Sequence, residues 1–477
     1  MQSSFQLEFF SHFPNHPTKD QVDLVERMER FLFRPYERAG FVIRGYAGTG
    51  KTTAVAAMVK TFPSFQLKSV LLAPTGRAAK VLANFSKKPA MTIHKKIYFS
   101  ERHQSGQMRF QLSKNLHNNT VFIIDEASMI GDAGGLNIHG FGNRSLLEDL
   151  IEYVFSGKNC RIVFIGDVAQ LPPIGTSISP ALDPKPLMAN YNLQLKGVEL
   201  TQVMRQEANS GILYNATNLR QQIAEKQPII QFNLEGFEDI RRIDGLELEE
   251  ELEQCFSKYG ESETIVICRS NKRANLFNQQ IRSRIKFLDE EIATGDYVMI
   301  VKNNYFWLDE KSPISFIANG DIAEVMRRGN IEEIYGFRFL DVTLRFVDYP
   351  ALQAIEVKVI LDSIAAESPA LSTEENKQLF EAVTADYQEV NNKQKRIELL
   401  RKNPYFNALQ IKFAYAVTCH KSQGGQWKAV FVDQGYLTEE QLDQEFVRWL
   451  YTAITRASER LYLVNFATYF FPNTETD

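Results

Sequence analysis

The segment Gly45-Tyr46-Ala47-Gly48-Thr49-Gly50-Lys51-Thr52-Thr53 fits the pattern G-x-x-x-x-G-K-[ST] in full. Its chemistry is that of a phosphate cradle. Glycines let backbone N–H groups turn inward on phosphate oxygens, and the start of a following helix adds partial positive charge. In this reading Lys51 neutralises the β and γ oxygens, and the Thr52 hydroxyl is a magnesium ligand. Gly45, Gly48, Thr49, Gly50 and Thr53 complete the loop. A second acidic element follows. The apolar run Val121-Phe122-Ile123-Ile124 delivers Asp125-Glu126 at a strand end, where an open α/β sheet binds ligands. Phosphoryl transfer needs a held metal and a positioned water more than covalent chemistry. Asp125 is therefore assigned to magnesium, and Glu126 to the proton of the attacking water. Together these residues call for ATP and Mg2+.

Parallel α/β cores are the elements that place such loops. Short runs bounded by Gly, Pro or Asp, many of them β-branched, recur at 41–44, 69–73, 121–125, 161–166, 264–268, 429–432 and 460–464. Continuous apolar runs suit strands covered on both faces. The first four lie close together and the last three far downstream, so two separate cores are expected. Residues 95–117 alternate apolar and polar around His103-Gln104-Ser105-Gly106, the pattern of a β-hairpin arm. Strand-like segments at 337–346 and 354–360 precede a charged helical stretch over 372–401, which opens on the cap Ser372-Thr373-Glu374-Glu375.

The totals bound the class. The chain has 477 residues, 44 % hydrophobic and 23 % charged, a globular balance of roughly three domains. Cys160, Cys255, Cys268 and Cys419 show no zinc-ligand spacing. Residues 1–10 lack a signal-peptide pattern, and no long uninterrupted apolar run appears. No membrane association is expected, and a cytoplasmic location is. The net charge of −4 hides a strong asymmetry. Residues 60–117 hold eleven Lys and Arg against one acid, and 401–428 hold five bases and no acid. Residues 234–263, by contrast, hold eleven acids and three bases. Distant basic stretches can meet as one groove for a phosphate backbone, although solvated helix faces also read this way.

Further motifs occur in order along the chain. They are Ala-Pro-Thr-Gly-Arg-Ala-Ala-Lys at 73–80, Thr-Ile-His-Lys at 92–95, Asp-Glu-Ala-Ser-Met at 125–129 and Gly-Asp-Val-Ala-Gln-Leu-Pro-Pro at 166–173. Val-Met-Arg-Gln at 203–206, Asn-Gly-Asp-Ile at 319–322, Thr-Cys-His-Lys-Ser-Gln-Gly at 418–424 and Tyr-Thr-Ala-Ile-Thr-Arg-Ala at 451–457 follow. In this order, from about Thr18 to Phe466, the chain resembles the superfamily 1 DNA helicases, specifically the RecD-like branch that includes the phage Dda helicase.

The resemblance implies an α/β fold of two RecA-like P-loop NTPase cores with parallel sheets, an inserted hairpin arm and an inserted small barrel of the Src-homology-3 type. The first core would span 1–205, with the arm at 95–117. The second would combine 206–340 with 412–477, leaving 341–411 as the barrel and its helical extension. Gln21 falls where the family contacts adenine, and Gln170 where it senses the γ-phosphate. Arg205 and Arg456 match two arginines that reach that phosphate across the cleft; a surface salt bridge is the alternative for each. Pro74, Thr75, His94, Thr418, His420 and Lys421 match strand-contacting positions, although the two histidines also have the chemistry of general bases. Tyr98, Phe99 and Phe110 are candidates for the aromatic wedge that splits the duplex. One departure stands out. Many superfamily 1 proteins carry a glutamate near the ribose after Gly424, where this chain has Gly425-Gln426-Trp427.

The expected function is an ATP-driven helicase moving 5′ to 3′ on single-stranded DNA, the direction resting on resemblance alone. Single-stranded DNA and duplex junctions are the expected partners. Single-stranded-DNA-binding, replication or repair proteins are further candidates, and the chain is expected to be monomeric and nucleoid-associated. Two rival readings stay open: an RNA-directed motor of the same fold, and a nucleotide-dependent switch or scaffold that never translocates.

Overall fold

The computed structural model describes residues 3–14, 16–34, 37–102, 108–132, 145–203, 209–223, 225, 228–309, 312, 314 and 316–471. The first eight strands are β1 (Ala39–Gly45), β2 (Lys68–Ala73), β3 (Ala90–Thr92), β4 (Tyr98–Arg102), β5 (Met108–Leu112), β6 (Thr120–Ile124), β7 (Arg161–Gly166) and β8 (Gln194–Leu200). Six of them form a parallel sheet in the order β3-β2-β6-β7-β1-β8. The central strands are apolar throughout because helices cover both faces. Phe41, Ile43, Val121, Ile123, Val163 and Ile165 pack on one side, and Phe122, Ile124, Ile162 and Phe164 on the other. This order has a chemical consequence. Strands β6, β7 and β1 are neighbours, so the acids at the ends of β6 and β7 stand beside the glycine loop that leaves β1.

Between β3 and β6 the chain makes the expected two-stranded arm. Strands β4 and β5 pair antiparallel, Tyr98 with Leu112 through Arg102 with Met108. The turn at its tip lies outside the described residues.

The remaining strands are β9 (Ile240–Ile243), β10 (Thr264–Cys268), β11 (Tyr297–Ile300), β12 (Ile322–Ile334), β13 (Phe337–Phe346), β14 (Ile355–Ile360), β15 (Leu409–Phe413), β16 (Ala416–Thr418), β17 (Trp427–Asp433) and β18 (Ala457–Val464). A second parallel sheet runs β16-β10-β17-β18-β9. Strands β11 to β15 close a five-stranded barrel. The barrel therefore begins at Tyr297, so a boundary at 341 falls inside β13 and is corrected here. The apolar run of β11 looks like a core strand, and only its pairing with β12 and β15 assigns it to the barrel.

The helical extension starts where the cap pattern placed it. The Ser372 hydroxyl accepts from Glu375 N at 3.1 Å, and Ser372 N donates back to the Glu375 carboxylate at 2.7 Å. Helices Thr373–Ala385 and Lys393–Lys402 then pack with Phe337, Phe339 and Ile360 in a small core of their own. Among the described residues, no helix is long and apolar enough to cross a membrane.

Both crossings between barrel and second sheet meet at one buried carboxylate. Asp296, just before β11, accepts from Arg282 Nε at 2.9 Å, Tyr415 Oη at 3.0 Å and Ala293 N at 2.7 Å. Arg282 in turn lies over the Phe413 ring at 4.3 Å. Removing one partner of such a pair strands the other charge in a low dielectric. Asp296→Ala should therefore cost about 3–5 kcal/mol, read as a lower urea midpoint. An unchanged midpoint would show that this carboxylate does not hold the barrel to the second core.

Candidate nucleotide cleft and strand groove

Gly48 and Gly50 turn the loop after β1 at φ of 73° and 82°, the left-handed region that a side chain disfavours. Gly50 then caps the Lys51–Thr61 helix, with Thr52 and Thr53 in its first turn. Thr49 is buried and its hydroxyl donates to Tyr46 O at 2.8 Å. Lys51 Nζ donates to Gly45 O at 2.9 Å and Tyr46 O at 2.7 Å. Gln21 approaches the loop from the side. Its amide donates to Thr49 O at 3.3 Å, and its side-chain oxygen closes a capping box with Thr18. In this structure Gln21 holds the loop's backbone.

Asp125 and Glu126 leave β6 as expected. Glu126 sits at φ 51°, and its N–H donates to Asp125 Oδ1 at 2.9 Å. Burial, with the neighbouring Glu126 charge, pushes the Asp125 carboxyl up to about 7, while Lys51 pulls the other way. A buried carboxylate held up in this way favours a cation. Its oxygen, with the Thr52 hydroxyl, makes a hard donor set suited to magnesium.

The loop after β7 carries Asp167 and Gln170, both buried. Asp167 Oδ1 accepts from Ala169 N at 2.9 Å, and Oδ2 lies 4.0 Å from Lys51 Nζ. The same Oδ2 accepts from Tyr451 Oη at 2.6 Å. That phenol oxygen also accepts from Ala47 N at 2.9 Å, inside the phosphate loop. Tyr451 belongs to the Gln444–Ile454 helix of the second core, and its helix neighbours continue the contact. Thr452 Oγ1 accepts from Leu171 N at 2.8 Å, and Arg448 donates to Val168 O and Gln170 O. Asp167, Tyr451 and Arg448 were not singled out from the sequence, although the first two lie within quoted motifs. Arg220, which lies over the Tyr46 ring at 4.2 Å, had no motif to announce it.

Gln170 Oε1 is buried without a hydrogen-bond partner among the described residues. That oxygen is an acceptor, so it can take a hydrogen bond from a water or an N–H but not from a phosphate oxygen. Arg456 is buried on its own core, donating to Thr452 O at 3.0 Å and Gly425 O at 3.2 Å. Arg205 lies outside the described residues.

A second inter-core face carries the strand residues. Thr75 caps the Gly76–Ser86 helix, accepting from Ala78 N at 3.2 Å. A Cβ on Gly424 would come within 3.1 Å of the Thr75 hydroxyl, so the two motifs touch. Beside them, Arg77 donates to Gln426 O at 2.8 Å and stacks 4.1 Å above the Trp427 ring. The departure at 425–427 thus serves contact between the cores. Pro74 and Thr418 are half-buried, His420 is exposed, and Lys421 donates to Asn319 at 2.5 Å. Burial lowers Lys421 to about 8 and His94 to about 4. His94 is neutral at pH 7, its ring beside Tyr98 and Phe316, and can offer a strand a ring and a hydrogen bond but no charge.

The wedge candidates separate. Tyr98 is half-buried and its hydroxyl donates to Asp149 at 2.7 Å, which anchors it in the first core. Phe99 is 41 % exposed on β4. The Phe110 backbone pairs within β5, and its side chain lies outside the described residues.

Comparison with known proteins agrees with this geometry. Residues 33–229 match the AAA domain model and 413–464 the UvrD-like helicase C-terminal domain model. The ATP-dependent RecD2 DNA helicase of Deinococcus radiodurans is 30 % identical over 203 residues, 43 % of this chain and 25 % of that protein. The ATP-dependent DNA helicase dda of Enterobacteria phage T4 is 25 % identical, covering 60 % of this chain and 62 % of its own. The ATP-dependent DNA helicase Pif1 of Campylobacter jejuni is 24 % identical across 94 % of both chains. One domain match holds the phosphate loop and the other the helix that contacts it, and the Campylobacter likeness joins them end to end: the chain is similar throughout to the superfamily 1 helicases of the Pif1, RecD and Dda branch.

Proposed function

We propose that the chain is an ATP-dependent DNA helicase that moves 5′ to 3′ along single-stranded DNA and opens duplex ahead of it. One observation carries this reading. The two cores meet at two places, the phosphate loop with Tyr451 and the strand motifs with Gly424 and Gln426, so a change at one must be felt at the other. Closure and release of such a cleft can convert nucleotide turnover into alternating grip on a strand.

The roles follow from position. The loop amides and Lys51 bind the phosphates of ATP. Thr52 and Asp125 would hold magnesium, which when bound neutralises phosphate charge during phosphoryl transfer. Glu126 orients and deprotonates the attacking water, and Gln170, whose unpaired amide oxygen can accept a hydrogen bond from that water, senses the γ-phosphate. Arg456 completes the site from the second core by leaving its resting contacts with Thr452 O and Gly425 O, and Arg205 is assigned to the same phosphate on its motif alone. Thr75, His94, Thr418, His420 and Lys421 hold the strand, and Phe99 is the described aromatic best exposed to meet a duplex junction. Partners that handle single-stranded DNA at the nucleoid fit this activity.

ATP turnover measured with and without single-stranded DNA tests the reading. Stimulation by DNA, greater than by RNA, is expected, and Lys51→Ala should lower the stimulated rate by about a hundredfold or more. Turnover indifferent to DNA would sink it. The Tyr451 bridge makes a separate forecast. Tyr451→Phe removes only the hydroxyl, a hydrogen bond to a charged group of roughly 1.5–3 kcal/mol. The ratio of DNA-stimulated to basal turnover should fall about tenfold, with basal turnover changed less. An unchanged ratio would show that the bridge does not couple the two faces.

A further inference from the structure

Between the first core and the barrel lies a cavity of about 280 Å³, lined in part by the motifs at 73–80 and 92–95 but by none of the residues assigned above to nucleotide or strand. Met91 and Lys95 line it from the first core, Lys80 from the Gly76–Ser86 helix, and Phe316, Asp348 and Tyr349 from the barrel side. The floor is mostly apolar, with Phe316 and Tyr349 supplying aromatic surface. The exception is Asp348. Its side chain is only 2 % exposed, yet neither carboxylate oxygen accepts a hydrogen bond among the described residues. Lys80 Nζ, bonded to Val347 O, stands 3.3 Å from Asp348 Oδ1 and supplies counter-charge without bond geometry. A buried acceptor without a donor is costly and calls for an explanation.

The chemistry of the missing donor can be narrowed. A carboxylate repels phosphate, so the ligand is not an anion. The apolar and aromatic walls disfavour a fully hydrated cation. A flat heterocycle with N–H groups on one edge satisfies both conditions. Under the helicase reading, on which this inference rests, a source of such groups runs past the cavity mouth. Gly76 and Thr92, which line the cavity, adjoin Thr75 and His94 of the strand groove. Lys95 at the wall suits a phosphate beside an inserted nucleotide, while Lys80 stays with Asp348.

Among the bases the two oxygens of Asp348 discriminate. Guanine presents N1–H and the exocyclic N2–H side by side, a bidentate match for a carboxylate. Adenine and cytosine set a ring acceptor beside their amino group, and thymine flanks its N3–H with two carbonyls. We propose that this cavity is a guanine-selective base pocket for the bound strand, read by Asp348 between Phe316 and Tyr349.

Fluorescence anisotropy of the full chain with oligothymidylate carrying one guanine, moved position by position, tests this. Guanine at one position should bind about tenfold tighter than thymine there. Replacing it with inosine, which lacks the N2 amino group, should remove most of that gain. Asp348→Asn should abolish the guanine preference, with oligothymidylate binding and thermal unfolding followed alongside as checks on folding. No preferred position, inosine equal to guanine, or a preference surviving in Asp348→Asn would each overturn the pocket. The inosine comparison uses the unaltered chain, so it decides even if the variant fails to fold. Binding of oligothymidylate itself reports on the helicase reading, so the two can fail separately.

Discussion

The hydroxyl of Tyr451 can give one proton and receive others, and the fold uses both capacities across the cleft between cores. It donates to Asp167 at 2.6 Å and accepts from Ala47 N at 2.9 Å, on a side chain that is fully buried. In that environment each bond is stronger than it would be in water, and losing either leaves a desolvated group behind. Asp167 stands 4.0 Å from Lys51. The position of a helix in the second core is therefore transmitted directly to the residues assigned to phosphate. Much else in the molecule serves this contact. Adjacency of β7 and β1 brings Asp167 to the loop, and Thr452 and Arg448 fix the helix's register against the Val168–Leu171 segment.

How far this was legible in the sequence depended on the range of the interaction concerned. The strands of both sheet interiors, β1, β2, β6, β7, β10, β17 and β18, coincide with the apolar runs because each is covered on two faces. Strands β3, β9 and β16 are three or four residues long and carry too little pattern to separate from loops. The barrel was placed too late for two reasons. Strand β11 is apolar like a core strand, and β12 spends its second half exposed, so its burial pattern breaks down. At the site, Lys51, Asp125, Glu126 and Gln170 were readable because each sits in a local motif at a strand end. Arg220 and Arg448 act through partners on another core, and no local spacing reports that. The Asp348 cavity is of the same kind, since its walls come from segments that only the fold brings together.

The net charge of −4 and the chemistry of the strand groove are reconciled by burial. Desolvation lowers Lys421 to about 8, as it does Lys412, which lines a small pocket with Thr418 and Lys421, and Lys80, Lys95 and Arg77 lie close to the barrel or the other core. The groove is thus not a bare cationic surface. It is a confined set of amines, some with pKa lowered by burial, whose charged form is stabilised further when phosphate arrives. The sign follows from linkage. A lysine whose pKa is depressed in the free protein and restored by phosphate takes up a proton on binding, so strand affinity is favoured below about pH 8 and weakens above it. His94, held neutral, contributes nothing to that term.

The same logic governs the opposite face of the first core, with the charges reversed. Asp125 is destabilised as an anion by burial and by Glu126, and is relieved by a cation. Each face therefore favours its charged form only with its own ligand in place. The two faces are joined through buried contacts at Tyr451 and Arg456, and through the half-buried Arg77 against Gln426 and Trp427. Packed interfaces of this sort switch between discrete arrangements more readily than they deform. A chain built in this way has reason to take ATP and strand together, because each completes electrostatics that the fold alone leaves unbalanced.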